Sequence, residues 1–127
     1  DRKIKNFIID PLIIGINIER SKSDQLIMSR IKKMLENGWI NEVKSLLHSG
    51  IKIDSAPMRS IGYREVAEYI KNNLSKDELE EKIYTSTRKL MRHQDNWFKK
   101  SDKRIKWINF SNSFSEADII IKEWLEN

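Results

Sequence analysis

Two stretches of this sequence carry residue types suited to binding an anion. Arg59-Ser60-Ile61-Gly62-Tyr63-Arg64 sets two arginines around a glycine and a tyrosine, at what reads as the first turn of a helix. Helix N-termini attract anions, and the guanidinium fork grips phosphate oxygens in pairs. The same spacing also suits a plain helix start with a packing glycine and surface arginines. Arg88 and Arg92 stand four apart, so on a helix they share a face beside Gln94, which is compatible with phosphate or base contact. His93 by itself reads as a surface or packing histidine, not a ligand.

Several chemistries are absent. A phosphate-cradling P-loop needs G-x-x-x-x-G-K-[ST], and Gly15, Gly38, Gly50 and Gly62 offer no such spacing. Glu19, Glu42 and Glu65 read as helix-surface residues, and no carboxylate pair sits in an apolar setting suited to acid–base work. Serines and histidines lack triad context. There is no cysteine, which excludes disulfides, thiolate nucleophiles and cysteine-based zinc sites. With His48 and His93 as the only histidines, a multi-histidine metal site is excluded as well. No complete active site is visible in the chain.

The charge is concentrated. Residues 82–106 hold nine basic residues (Lys82, Arg88, Lys89, Arg92, Lys99, Lys100, Lys103, Arg104 and Lys106) against Asp95 and Asp102. The rest of the chain is slightly acidic, although the whole carries a net +5. A local basic block interleaved with Trp97, Phe98 and Trp107 fits nucleic-acid contact, because clustered cations steer phosphate backbones and release their counterions. A solvated helix face and loop would show the same composition.

The elements that must position these residues are mostly helical. Residues 7–18 are β-branched and broken by Pro11, and Leu12 to Ile18 predicts a short buried strand. Ser23 and Asp24 can cap a helix with a stripe of Leu26, Ile27, the Arg30 stem, Ile31, Met34 and Leu35, which stops at Gly38. A second helix buries Ile40, Val43, Leu46 and Leu47 and stops at Gly50. The pair predicts an αα-hairpin or an angled corner. After a loop ending at Pro57, helical periodicity resumes from Met58 to Ile70 through Ile61, Val66 and Tyr69. Ser75-x-x-Glu78 has capping-box spacing, with Leu74 and Leu79 placed for a hydrophobic staple. The helix it opens carries Ile83 and Tyr84, Leu90 and Met91, and Trp97 and Phe98 on one stripe. Thr87 and Gln94 fall on that stripe, so each is expected to need a partner, structural or ligand. Ile105 to Asn109 alternates like a strand. Ser113-x-x-Glu116 then predicts a capped final helix with Ala117, Ile120, Ile121, Trp124 and Leu125 inward.

The order is strand, four or five helices, strand, helix, an α/β arrangement without repeats or low-complexity linkers. Two short strands without a hairpin cannot form a stable sheet alone, so their partners are expected elsewhere. At 127 residues and 15.1 kDa, the chain is one domain or part of one. Its 39% hydrophobic and 34% charged residues and mean hydropathy of −0.63 suit a globular chain, and no apolar run approaches the roughly 20 residues of a membrane span. The lack of cysteine points to a reducing compartment, and the start at Asp1 to a piece of a longer protein.

Three blocks together resemble a known family. They are Arg30-Ile31-x-x-Met34-x-x-x-Gly38-x-x-x-Glu42-Val43-x-x-Leu46-Leu47-x-x-Gly50, then Met58-x-x-Ile61-Gly62-Tyr63-Arg64-Glu65, then Thr87-Arg88, Gln94 and Trp97-Phe98. In this order and separation they are similar to the C-terminal half of the tRNA dimethylallyltransferase (tRNA isopentenyltransferase) family, over nearly the whole chain. The resemblance implies an α/β fold: residues 1–127 would be the C-terminal part of a P-loop NTPase-like core, mostly helical with about two short strands. The N-terminal P-loop half, its catalytic aspartate and the helical insertion would lie outside it. It implies a cytoplasmic enzyme, not a membrane protein, that moves a dimethylallyl group from dimethylallyl diphosphate to N6 of the adenosine beside the tRNA anticodon. Magnesium would accompany the diphosphate, with no ligand for it in this chain.

By the same resemblance, Arg59, Ser60, Ile61, Gly62, Tyr63 and Arg64 match the I-G-Y-[KR] segment that lies against tRNA. Arg92, His93, Gln94, Asp95, Asn96, Trp97, Phe98 and Lys99 match the K-R-Q-x-T-W segment, a second tRNA contact, and Arg88 joins them. The anticodon stem-loop would be the partner. No catalytic residue and no diphosphate ligand is assigned, and the chain alone is expected to be inactive. The chain departs from the family at His93, where the pattern has arginine, at Asn96 for threonine, at Met91 for alanine, and at Leu26 for an arginine of the first helix. The competing expectations are a stand-alone helical RNA-binding module and a protein-interaction domain whose basic block merely solvates.

Overall fold

A computed structural model describes residues 10–72 and 74–127. They fall into two compact units, residues 19–96 on one hand and residues 10–18 with Trp97–Asn127 on the other.

The first unit is helical. Helix α1 spans Arg20–Glu36 and α2 spans Trp39–His48. A 3-10 turn at Pro57–Arg59 precedes α3 at Tyr63–Asn72, and α4 runs from Lys76 to Trp97, the last residue belonging to the other unit. The core joins Ile31 and Leu35 of α1, Trp39 and Val43 of α2, Met58 of the 3-10 turn, Val66 and Ala67 of α3, and Leu79 and Ile83 of α4. Helices α1 and α2 meet at Gly38, whose φ of +96° is the left-handed conformation that ends the first helix and admits the second. Gly50 does the same after α2, where the Ile51 and Gly50 N–H groups donate to the Leu46 and Leu47 carbonyls.

Two helix starts and the burial of one helix stripe differ from what the sequence predicts. Helix α1 begins at Arg20, not at a Ser23 or Asp24 cap. Ser23 is buried within its first turns, where its hydroxyl faces Met91 Sδ, and Asp24 turns to Arg88. The expected helix over Met58–Ile70 is broken, because Ser60 is extended and Gly62 has φ +93°, so α3 starts only at Tyr63. The stripe of α4 is buried at Leu79 and Ile83 and Tyr84 packs against the core, but Leu90, Trp97 and Phe98 are exposed. Gln94 is exposed and needs no buried partner, while the Thr87 hydroxyl donates to the Ile83 carbonyl at 2.8 Å. The Ser75–Glu78 capping box forms as expected. The Glu78 carboxylate accepts from the Ser75 N–H at 2.7 Å, and the Ser75 hydroxyl accepts from the Glu78 N–H at 3.2 Å.

The second unit holds β1, Ile13–Asn17, and β2, Ile105–Asn109, followed by a 3-10 turn at Phe110–Asn112 and helix α5, Ser113–Glu126. Residues 7–9 of the predicted strand region lie outside the described residues. The strands pair in parallel with each other, Ile13 beside Ile105 through Asn17 beside Asn109. Gly15 lies opposite Trp107, and a Cβ there would come within 2.6 Å of Trp107 Cε3. The glycine is what lets the indole lie flat on the neighbouring strand.

Helix α5 packs on β2 but no residue of it is buried. Ala117 and Ile120 are half-buried, while Ile121, Trp124 and Leu125, expected inward, are exposed. Two strands offer too narrow a face to cover the whole apolar stripe. The Ser113–Glu116 capping box does not form, because the intervening 3-10 turn moves Ser113 into the helix. Glu116 instead accepts from the Asn109 N–H at 2.8 Å, tying α5 to the end of β2. No helix among the described residues is long and apolar enough to cross a membrane.

Candidate nucleic-acid interface

The Arg59–Arg64 segment is a turn clamped into the helical unit. Gly62 takes a left-handed conformation, and its carbonyl accepts from the Val66 N–H at 2.8 Å, so it stands at the position immediately before α3. A side chain is excluded there on two counts. L-residues are strained at this φ, and a Cβ would overlap Cη2 and Cζ2 of the buried Trp39. Trp39 also meets the Tyr63 ring edge-on, centroids 5.7 Å apart. The Tyr63 hydroxyl donates to Glu42 Oε1 at 2.8 Å; that bond and partial burial raise its pKa.

Glu65 sits beneath this turn. It is 3% exposed, which corrects the expectation of a helix-surface residue. Its Oε2 accepts from the Gly62 N–H at 2.6 Å, and its Oε1 accepts from Ser86 Oγ at 2.6 Å and from Arg64 Nη2 at 2.9 Å. Burial pushes its pKa up, but the hydrogen bonds from Ser86, the Gly62 N–H and Arg64 together outweigh it and hold the carboxyl below the usual range. Gly62-x-x-Glu65 is a capping box with glycine in first place, and that spacing is the signal the sequence held for it.

Within the segment, Arg59, Ser60 and Arg64 are exposed, Ile61 and Tyr63 half-buried, and Gly62 buried. Gly62 therefore supports the segment from behind. Ile61 and Tyr63 line an apolar cavity of about 340 Å³ with Ile27, Met34, Trp39 and Leu90. Arg64 and Glu65 line a polar cleft with Glu68, Glu81 and Lys82. Three carboxylates against two cations make the floor of that cleft a poor seat for a polyanion. Outward-facing guanidinium groups are the better phosphate ligands.

Arg88 and Arg92 part company. The Arg88 side chain is 14% exposed and its Nη1 lies 2.8 Å from Asp24 Oδ1, which ties α4 to α1. It holds the two helices together and presents no free cation. Arg92, His93, Gln94, Asp95 and Asn96 are all exposed on the last turns of α4. Arg59 and Arg92 form no ion pair with any described residue. Because Ser86 touches Glu65, the Arg59–Arg64 turn meets α4 at a defined point. At 1.5 Å rise per residue, Arg92 lies about 9 Å further along the helix axis.

In the second unit, Trp97 is 81% exposed, and Phe98 and Lys99 are exposed too. Lys99, Lys100, Lys103 and Lys106 stay exposed and outside any ion pair with described residues, but Arg104 is engaged by Asp102 through its Nε and Nη2. Those bonds hold the Asp102 pKa at about 2. Among the described residues no group of three or more His, Asp or Glu side chains could hold a metal ion.

Comparisons with known proteins agree on one relationship. The model of the family described as IPP transferase matches residues 2–101. A protein of Bdellovibrio bacteriovorus called tRNA dimethylallyltransferase is 35% identical over 122 residues, covering 96% of this chain and 39% of its own length. One of the same name from a Nocardioides species is 38% identical over 99 residues, covering 78% of this chain and 32% of its own length. Among solved structures, the full-length tRNA isopentenylpyrophosphate transferase of Bacillus halodurans superposes with a TM-score of 0.81 at 26% identity, over 98% of this chain and 42% of that one. The tRNA delta(2)-isopentenylpyrophosphate transferase of Staphylococcus epidermidis gives 0.75 at 31% identity, over 88% of this chain and 38% of that one. The chain thus spans about two-fifths or less of the relatives it matches.

Proposed function

This chain belongs to the IPP transferase family, and we propose that it is the tRNA-gripping C-terminal part of a cytoplasmic tRNA-modifying prenyltransferase. In this reading the whole enzyme moves a dimethylallyl group from dimethylallyl diphosphate to N6 of the adenosine beside the anticodon. The P-loop that would hold the diphosphate, with its magnesium, has no counterpart among the glycine spacings of this chain. What the chain contributes is the hold on the anticodon stem-loop.

The observation that carries the RNA reading is the exposure of Arg59 and Arg92 outside any ion pair with described residues, on an element pair joined through Glu65 and Ser86. Exposed guanidinium groups bind phosphates without first breaking an internal pair, and they position the RNA without reading its sequence. Arg64 adds a third cation, since 55% of its side chain remains exposed despite its bond to Glu65. Exposed Trp97 and Phe98 supply flat apolar surface on which an unstacked base can rest. The nucleotide to be modified must leave its stack before a prenyl group can reach its exocyclic nitrogen, and a firm grip on the flanking backbone offsets that cost. Gly62, Ile61 and Tyr63 shape the turn that presents Arg59 and Arg64. Arg88 ties α4 to α1.

The test is prenyl transfer to an anticodon stem-loop containing the target adenosine, measured for this chain alone and with a separately expressed N-terminal P-loop portion. Transfer only in the mixture supports the reading. Salt-dependent RNA binding without transfer in either case points instead to a helical RNA-binding module. Absence of salt-dependent RNA binding overturns the RNA reading altogether.

A further inference from the structure

Glu65 does more than close a helix. Its bond to the Gly62 N–H at 2.6 Å is the return half of a capping box. Glu78 makes the same return bond to the Ser75 N–H while fully in the open, so capping alone does not require burial. Yet Glu65 is 3% exposed, and a carboxylate taken out of water is tolerated only when its lone pairs are satisfied. The two further donors that satisfy it are Ser86 on α4 and the guanidinium of Arg64. One buried anion therefore joins three things: the left-handed turn, a second helix, and a cation of the exposed face.

We propose that Glu65 is a positioning residue for the RNA contact: it locks the Arg59–Arg64 turn onto α4 and fixes the Arg64 guanidinium with its remaining N–H groups toward solvent. This rests on the RNA reading above. The physical advantage is pre-organisation. A free arginine samples many rotamers and loses that freedom on binding, whereas Arg64 is held at Nη2 before any phosphate arrives. Anchorage at Ser86 also fixes the separation between Arg64 and Arg92, so that the two cations meet the backbone in a set register.

The experiment is a double-mutant cycle read by fluorescence anisotropy with a labelled anticodon stem-loop, using the whole chain. Glu65→Gln keeps the size of the side chain but removes its charge and sets an amide donor against donors. It is expected to retain the wild-type helical signal and to weaken RNA binding about three- to tenfold. Arg64→Ala should weaken it by a similar factor. The decisive result is the pair: with Arg64 already gone, Glu65→Gln should cost clearly less affinity than it does in the wild type, because only the Arg59 end of the turn remains for it to position. Should Glu65→Gln fail to fold, Ser86→Ala takes its place, with a smaller loss that again shrinks in the Arg64→Ala background. Independent losses that multiply in the double variant, or a Glu65→Gln chain that binds as wild type while Arg64→Ala does not, overturn the positioning role alone. An Arg64→Ala chain that binds RNA as well as wild type overturns the RNA reading of Arg64, and the proposal with it.

Discussion

Replacing Gly62 by alanine tests the construction of the turn most directly. The residue has φ +93°, a region in which an L-side chain costs about 1–2 kcal/mol. The new methyl would also overlap Cη2 and Cζ2 of Trp39, which is 6% exposed. Overpacking of a filled core costs about 1–3 kcal/mol more. The sum is about 2–5 kcal/mol, a large share of the 5–15 kcal/mol that holds an ordinary domain together. At about 4 °C per kcal/mol for a chain of this size, the melting temperature should fall by about 8–20 °C. Thermal and urea denaturation followed by far-UV circular dichroism measure it, since helices dominate the signal. A second background separates the two contributions. In Trp39→Phe the outer edge of the indole is gone, so Gly62→Ala there should cost only the backbone strain of about 1–2 kcal/mol. Equal costs in both backgrounds would refute the steric argument, and a Gly62→Ala chain within about 0.5 kcal/mol of wild type would refute the reasoning as a whole.

Arg92→Ala should leave the melting temperature unchanged, because the side chain is exposed and pairs with no described residue, and should reduce the salt slope of RNA binding by about one; an unchanged slope removes it from the phosphate contacts. Arg88→Ala should behave in the opposite way, destabilising the fold by about 1–3 kcal/mol by leaving Asp24 without its partner, with the salt slope kept; denaturant titration and binding isotherms together distinguish the two. The depressed pKa of Glu65 gives a stabilising contribution that is fully present above the ordinary glutamate value of 4.5 and is lost as pH falls through the lower folded value. Stability measured from neutral to acid pH should therefore decline more steeply in wild type than in Glu65→Gln. Parallel curves would show that Glu65 carries no such linkage.

Local order along the chain was legible wherever a residue's role depends on its near neighbours. Gly38 and Gly50 end helices because only the left-handed region lets a chain leave one there, and the Ser75–Glu78 spacing closes its own capping box. The alternation of Ile105 to Asn109 marks a strand whose limits coincide with β2. The concentration of cations after residue 82 is a property of the sequence itself. So is the likeness of the Arg30–Gly50, Met58–Glu65 and Thr87–Phe98 blocks to the IPP transferase family, to which the chain belongs.

Tertiary contacts decided the rest. Arg88 and Arg92 look alike four residues apart, but Asp24 on a different helix takes one, while the other pairs with no described residue. Glu65 looks like any helix-surface glutamate until Ser86, 21 residues away, donates to it and the core closes over it. Ser113 and Glu116 have the right spacing for a cap, yet Glu116 answers to the end of β2 instead. The stripes of α4 and α5 are periodic throughout, but α4 is buried only at Leu79 and Ile83 and α5 nowhere. Spacing and residue type determine which bonds a side chain is able to make. Which of them it makes depends on groups far along the chain, because a buried charge or polar atom must find its partners in three dimensions.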